Sequence, residues 1–252
     1  MTKKLLLSAV AAATLVAAPA FAQDGATGYI GAAYGNVEVD TPLGDADADA
    51  WGVEGAVAAD ISENFGIQLD GAYLSMDDID ADALSGTVHL FHRNDQWALG
   101  GFAGVTDNDS DTAWQIGAEG AYYLDQVTFA GSIAYGTTDD TDVDVWGGGV
   151  EARFFATDNF RLDARGGLFN ADAGFGGDVD GYTLGVGGEY QFSAAPVSLY
   201  TTYDTVQFDD VDVDVNTWMV GVRWNFGGSL KDRDRNGASF NGGLGGVLRS
   251  GF

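Results

Sequence analysis

The sequence has no cysteine, little proline and few basic residues. It contains 3 Pro and 11 Lys plus Arg, against 38 Asp plus Glu. The absence of cysteine excludes a small secreted scaffold stabilised by disulfides. The formal charge of -27 repels nucleic acid, so no nucleic-acid partner is expected. Beyond the N-terminal segment, no stretch approaches the run of about eighteen apolar residues that a membrane-spanning helix needs.

Residues 1–22 have the features of a Sec-type signal peptide. Lys3 and Lys4 precede an apolar run, and the small-residue motif Ala20-Phe21-Ala22 stands before Gln23. These features predict cleavage after Ala22 and export from the cytoplasm. A membrane anchor is the alternative, but the apolar run is short for a spanning helix.

The rest of the chain repeats one plan: an acidic stretch, an aromatic residue, an alternating run, a short polar turn and a second alternating run. The residues that follow the acidic stretches are Leu84, Tyr182 and four tryptophans, Trp51, Trp114, Trp146 and Trp218. Each alternating run has roughly ten residues, the length of a tilted strand that crosses a bilayer. With an opening strand Gly28 to Val39 and a closing strand Thr217 to Phe226, the repeat predicts about twelve strands.

The predicted fold class is therefore all-β: a transmembrane antiparallel up-and-down β-barrel over residues 23–226, followed by a Gly-rich tail over 227–252. A secreted acidic sandwich is the alternative, because a half-buried soluble sheet also alternates. Three features favour the barrel: short turns alternate with longer acidic loops, aromatic residues gather at both ends of the strands, and charges share one face of the strands. The predicted location is the outer membrane, with lipid and lipopolysaccharide as neighbours.

The hairpin Trp146 to Phe169 tests this interpretation. If Trp146 faces lipid, alternation points the charges of both arms inward, provided that Arg153 lies opposite Asp163 and Glu151 opposite Arg165. A three-residue turn over 157–159, with Ala156 paired to Phe160, would give this register. A two-residue turn would send three charges into lipid, at about 2 to 4 kcal/mol for each Arg near the midplane.

Nine charged residues are expected inside the barrel. The predicted pore-lining residues are Glu54, Glu119, Glu151, Arg153, Arg161, Asp163, Arg165, Glu189 and Arg223. They could line a polar passage, as rings of charges do in selective pores, or they could only cross-link the barrel wall. Both interpretations stay open at this point.

The acidic stretches are predicted to be external loops. Their carboxylates include Asp45, Asp47, Asp49, Asp78, Asp80, Asp109, Asp140, Asp142, Asp144, Asp210, Asp212 and Asp214. Together they would form a negative mouth that attracts cations and repels anions. No cofactor is expected beyond Ca²⁺ or Mg²⁺ held loosely by these loops, bridging to lipopolysaccharide phosphates. Singly, each stretch could be solvated surface.

Other candidate sites are weak. Asp232 to Gly237 matches the opening of an EF-hand loop, but Gly243 stands where the bidentate Glu is needed. The tail is either a flexible end or a segment that folds into the barrel. The only histidines are His89, expected in the lumen, and His92, expected at the interface. They lie far from the acidic stretches and without a catalytic partner, so no enzymatic activity is predicted.

The leader, the hairpin repeat, the paired aromatic belts and the closing segment TWMVGVRWNFG resemble the porin-like outer-membrane β-barrel proteins of Gram-negative bacteria, especially alphaproteobacterial ones. The resemblance implies passive diffusion of small hydrophilic solutes, with a preference for cations suggested by the acidic mouth. The alternative is a non-conducting structural or adhesive barrel whose acidic loops bind divalent cations. The chain departs from general porins because it is short for sixteen strands and continues about 26 residues beyond Phe226, which argues against a wide trimeric pore.

Overall fold

The structure, a computed structural model, describes residues 26–76, 81–108, 111–172, 177–209 and 213–241. It contains the twelve strands that the repeat predicts. They are β1 (Thr27–Thr41), β2 (Gly44–Ser62), β3 (Phe65–Met76), β4 (Ala81–Arg93), β5 (Trp97–Asn108), β6 (Asp111–Tyr123), β7 (Val127–Thr138), β8 (Asp144–Thr157), β9 (Phe160–Asp172), β10 (Asp178–Gln191), β11 (Val197–Phe208) and β12 (Val213–Phe226). No helix among the described residues is long and apolar enough to cross a membrane.

The strands form one closed antiparallel barrel in which every strand pairs with its neighbours in sequence. Closure comes from β1 and β12, which pair from Gly28 with Phe226 to Asp40 with Asp214. We call the end with Ala26 and Phe226 the tail end and the opposite end the loop end. Because the backbone groups of β1 and β12 form hydrogen bonds with each other, this sheet has no unpaired edge, as a β-structure in lipid requires.

The predicted register of the β8–β9 hairpin is confirmed, but the predicted turn is wrong. Arg153 pairs with Asp163 and Glu151 with Arg165 along the backbone. The register shifts between Phe155 and Thr157, and Thr157 pairs with Phe160. A β-bulge at Ala156 thus combines a two-residue turn with the register expected from a three-residue turn, because the extra residue restores the parity of the two arms.

The prediction of acidic loops is wrong for five of the described carboxylates. Asp45, Asp47 and Asp49 lie within β2, because β1 and β2 continue to a turn at Pro42 and Leu43. Asp144 and Asp214 lie within β8 and β12. Among the described residues, Asp140 and Asp142 do lie in a connection, which joins β7 to β8. Alternation favours strand over loop here because β-branched or small residues separate the aspartates.

The chain re-enters the barrel after β12. Gly227 and Gly228 have φ of 90° and 125°, a left-handed conformation that glycine adopts without the Cβ penalty. Helix α1 (Leu230–Asn236) follows, with Ser229 and Asp232 forming a capping box. Residues 229–241 then lie in the lumen, and we call them the lumen segment. For residues 229–241 this position agrees with the second of the two interpretations of the tail, and α1 occupies the positions at which an EF-hand loop would begin.

Some predictions fall outside the described residues. These are the signal peptide, the last part of the tail (242–252), and the carboxylates Asp78, Asp80, Asp109, Asp210 and Asp212.

Candidate functional site

The barrel wall has an apolar outside and a polar inside. Outward side chains such as Ile116, Val150 and Leu168 are more than half exposed, which is the lipid-facing surface of a membrane barrel. All nine predicted pore-lining residues lie on the inner face with at least one polar partner. Their role in conduction stays a prediction, whereas their contacts define the chemistry of the lumen.

Glu189 is the centre of the largest charge cluster. This carboxylate is almost fully buried, 1% exposed. Its Oε2 atom accepts from Arg223 Nη1 at 2.8 Å and Arg233 Nη2 at 3.1 Å, and Arg161 Nη2 lies 3.5 Å away. Its Oε1 atom accepts from the Ser198 hydroxyl at 2.6 Å. Three guanidinium groups therefore compensate one carboxylate, and one of the three belongs to the lumen segment.

Arg223 extends this cluster across the barrel seam to Glu54. Its Nε donates to Glu54 Oε1 at 2.9 Å, and the same oxygen accepts from the Tyr200 hydroxyl at 2.7 Å. The guanidinium carbon lies 3.9 Å from the centre of the Tyr200 ring and 4.5 Å from that of Tyr29. Charge pairing and cation–π contact together fix Arg223 in a single position.

A second cluster joins the wall to α1. Arg153 Nη1 donates to Asp234 Oδ1 at 2.8 Å, and Arg153 Nη2 donates to Glu151 Oε2 at 2.6 Å. Asp234 Oδ2 accepts from the Thr128 hydroxyl at 2.5 Å. Arg153 therefore forms its ion pairs with Glu151 and Asp234, although Asp163 is its backbone partner. The lumen segment supplies the partner that the hairpin pattern did not.

The third cluster lies along β9. Arg165 makes a bidentate contact with Asp204, at 2.7 Å from Nε and 2.6 Å from Nη2. Its Nη1 donates to Asp163 at 2.7 Å, and Asp163 also accepts from Arg161 Nε at 3.2 Å. These groups alternate in sign along and across the wall, so each buried charge has an opposite neighbour.

Gln68 and His89 hold the end of the lumen segment. Gln68 is fully buried; its Nε2 donates to Phe240 O and Asp70 Oδ1 at 2.8 Å, and its Oε1 accepts from Ser239 N and Phe240 N. His89 lies between Asp70 at 2.9 Å and Glu119 at 2.7 Å. Its ring stacks on that of Phe240, 6.0 Å between centroids. His89 therefore lies in the lumen, as predicted. His92, expected at the interface, stacks on Trp97 of the next strand.

The loop-end half of the lumen is lined differently. Phe102, Ala134, Phe169 and Val206 form a buried apolar cluster, with Val145, Phe208 and Val215 packed against it. Phe169 contacts Phe208 edge-on, 5.5 Å between centroids. A side chain on Gly117 would collide with Phe102 and one on Gly181 with Phe169, so both rings lie against glycines of the next strand. This half is stabilised by packing rather than by ion pairs.

The acidic residues at the loop end face away from the lumen. Asp45, Asp47 and Asp49 share the parity of the outward Trp51 on β2, and side chains of one parity share a face. Asp144 accepts from the hydroxyl of the outward Tyr135 at 2.7 Å. These four carboxylates therefore lie on the outside of the barrel, beyond the aromatic belt, and do not point into its mouth.

Alternation locates the predicted lumen residues, but it did not identify their partners. Asp70 and Asp204 are not among the predicted lumen residues, although they share the inward parity of their strands and the same rule finds them. Arg233, Asp234 and Phe240 lie outside the strands, so alternation gives no signal for them. The described residues contain no group of three or more His, Asp or Glu arranged to hold a metal ion.

Solved structures with the same fold are outer-membrane proteins. The NanC porin superposes with a TM-score of 0.57 at 10% identity, over 77% of this chain and 98% of that one. An outer membrane channel from Pseudomonas putida F1 gives 0.57 at 10%, over 79% and 95%. The KdgM porin gives 0.50 at 10%, over 77% and 99%. No curated protein matches this chain in sequence.

The sequence match to a family agrees with this fold. The family described as the outer membrane protein beta-barrel domain matches residues 8–165, from within the predicted leader to β9. The porin-like architecture, the closed twelve-stranded wall and this match assign the protein to the outer membrane. The chain belongs to the outer membrane protein beta-barrel domain family.

Proposed function

We propose that this barrel is a porin-like channel for passive diffusion of small hydrophilic solutes. The observation that carries the proposal is the charged lining inside a lipid-facing wall, since buried ion pairs add little stability over apolar packing and a polar interior is typical of barrels that hold water. Beside the lumen segment, a cavity of about 180 Å³ is lined by Glu54, Asp70, Thr87, Gln115 and Asn241, among others. This volume holds several water molecules and offers them polar partners.

We further propose a modest preference for cations. The chain carries 38 acidic against 11 basic residues, which lowers the potential around both openings. Inside the lumen, arginines nearly balance the carboxylates, and Asp45, Asp47, Asp49 and Asp144 at the loop end face outward. The preference therefore comes from the long-range field and weakens as salt screens it, over about 10 Å at 0.1 M.

Export and orientation belong to the same proposal. Residues 1–22 are removed as a signal peptide, and the loop end faces the outside of the cell while the tail end faces the periplasm. N-terminal sequencing of the protein from outer membranes should begin at Gln23, and a start at Met1 would contradict cleavage. The alphaproteobacterial type of the family stays a prediction.

Planar-bilayer recording tests the channel. The purified full chain should give discrete current steps. In a KCl gradient, the reversal potential should shift toward the equilibrium potential of K⁺. Silence from the full chain, and also from a variant with a loosened lumen segment, would overturn the channel. A shift toward the equilibrium potential of Cl⁻ would overturn the cation preference and leave the channel proposal standing.

A second candidate is a non-conducting structural or adhesive barrel. Two observations favour it: the lumen segment fills the tail end, and the carboxylates beyond the aromatic belt face the level of lipid headgroups. Ca²⁺ or Mg²⁺ could bridge them to lipopolysaccharide phosphates. Under this function, EDTA should lower the unfolding temperature in lipopolysaccharide vesicles but not in phosphatidylcholine vesicles. Equal behaviour in both lipids would contradict it.

A further inference from the structure

The lumen segment has the contacts of a bound ligand inside the wall. We infer that residues 229–241 are a resident plug that closes the tail end of the channel, and that current flows when this plug withdraws. The inference rests on the proposed channel function. It adds the control element: the chain's own C-terminal region, held by non-covalent contacts alone, since the sequence has no cysteine.

The first step of the argument is charge complementarity. Adjacent residues of α1 carry opposite charges, and each meets its opposite on the wall: Arg233 contacts Glu189 at 3.1 Å, and Asp234 contacts Arg153 at 2.8 Å. Both side chains are nearly fully buried. Reversing or shifting the helix would place like charges together, so the wall selects one position of the segment.

The second step is recognition of the backbone beyond α1. Gln68 bonds the Phe240 carbonyl and the amides of Ser239 and Phe240, which uses the donors and acceptors of one side chain as a strand edge would. Arg93 donates to Gly237 O at 2.9 Å. These contacts are made to backbone atoms and not to side chains. They therefore fix how far the segment extends into the lumen.

The third step is that the wall does not require the plug. Without Arg233, Glu189 keeps Arg223 and Arg161 as partners. Without Asp234, Arg153 keeps Glu151. The hydrogen-bond ladder between β1 and β12 closes the barrel independently of the segment. Withdrawal therefore leaves each of these wall charges paired, whereas the released Arg233 and Asp234 are hydrated by water.

The fourth step is the attachment point. Gly227 and Gly228 join the segment to β12, and neither carries a side chain that restricts rotation. Lys231 N donates to Asp158 O at 3.0 Å at the β8–β9 turn. Its ammonium lies 3.7 to 3.8 Å from two exposed carboxylates, which contributes little. The outer side of α1 is thus weakly attached, while its inner side is bound through charges.

A disulfide lock tests the plug in the full chain. Asp158→Cys with Lys231→Cys places two thiols at residues whose main chains are joined by a hydrogen bond of 3.0 Å, and a disulfide requires backbones that lie close together. No native cysteine competes. The open time of the oxidised protein in bilayers should be at least tenfold shorter than that of the reduced protein, and a reductant should restore it. Equal current in both redox states would overturn the plug while leaving the channel intact.

A loosened variant supplies the opposite test. Arg233→Ala with Asp234→Ala removes the two plug charges that pair with Glu189 and Arg153, and those wall charges keep their other partners, so open time should rise at least fivefold. Lys231→Ala, on the outer side of the same helix, is the matched control and should change it less than twofold. Heat-dependent migration in SDS gels confirms that each barrel is folded. No rise in the double variant overturns the plug, and silence from every folded protein overturns both the plug and the channel.

Discussion

The two halves of the lumen are stabilised in different ways. The tail-end half is polar: Glu189, Arg153 and Gln68 bind one particular segment through charges and hydrogen bonds. The loop-end half contains a buried apolar cluster instead, with Phe102 and Phe169 lying against glycines of the neighbouring strands. Apolar packing tolerates small shifts, whereas buried charges are costly whenever a partner is missing. The tail-end half should therefore be more sensitive to single substitutions and should alone control the occupancy of the lumen.

The largest effect is expected from Glu189→Ala. It leaves Arg161, Arg223 and Arg233 around an uncharged site, and loss of one partner of a buried ion pair costs about 3 to 5 kcal/mol. Unfolding in guanidinium, followed by tryptophan fluorescence, measures the loss. Glu63→Ala in the exposed β2–β3 turn is the control. If Glu189→Ala lowers the free energy of unfolding less than a single substitution in the loop-end half does, the tail-end half is not the more sensitive one.

Phe169→Ala is the corresponding change in the loop-end half. Removing a buried phenylalanine ring costs about 3 kcal/mol or more in a tight core, and less here because the neighbouring Phe208 can move into the space. The same unfolding assay applies. The open time in bilayers should stay unchanged, because Phe169 packs against Val206 and Phe208 in the loop-end half and not against the described residues of the plug. An increased open time would show that both halves control the lumen.

Compared with Phe169→Ala, Gln68→Ala should change the free energy of unfolding less and the current more. It leaves the amides of Ser239 and Phe240 and one carbonyl without their partner, at about 1 to 3 kcal/mol. Because these groups belong to the plug, the loss appears mainly as withdrawal of the segment. Faster hydrogen exchange at Ser239 and Phe240, with unchanged exchange in β3, is the expected result. Uniformly faster exchange would mean that Gln68 supports the wall instead.

The smallest effect is expected from Asp111→Ala at the loop end. Asp111 accepts from Asp140 N at 2.9 Å and from the Thr141 hydroxyl at 2.6 Å, which orders the β7–β8 connection. The contacts are solvent exposed, so the free energy of unfolding should change by less than about 1 kcal/mol. Hydrogen exchange at Asp140 should accelerate while the barrel strands stay protected. A change that spreads into the strands would contradict a local role.

Much of the wall could be predicted from the sequence, because alternation with a period of two is set by the backbone itself. The number of strands, the register of Arg153 with Asp163, and the inward face of His89 all follow from that rule. The turn at Thr157 did not, since a bulge and a longer turn give the same register and leave the same pattern of side chains. Local sequence cannot distinguish them.

The lumen segment could not be placed from the sequence because its partners are distant. Gln68 and Phe240 are separated by 172 positions, and Arg93 and Gly237 by 144. Ser229 and Asp232 do have the spacing of a capping box, which predicts a short helix but not its position. The surplus of carboxylates over arginines in the strands is a weak signal that basic groups must come from elsewhere.

The lumen segment follows the last strand, β12, and this position sets an order of events during assembly. Its partners Gln68, Arg93 and Arg153 lie on β3, β4 and β8, so its binding site is incomplete until the strands around it have paired. The segment can therefore dock only onto a barrel that is already closed. Docking of the segment is then the last step of assembly. During folding, protease resistance at Arg233 and Arg235 should therefore appear later than the heat-resistant form of the barrel.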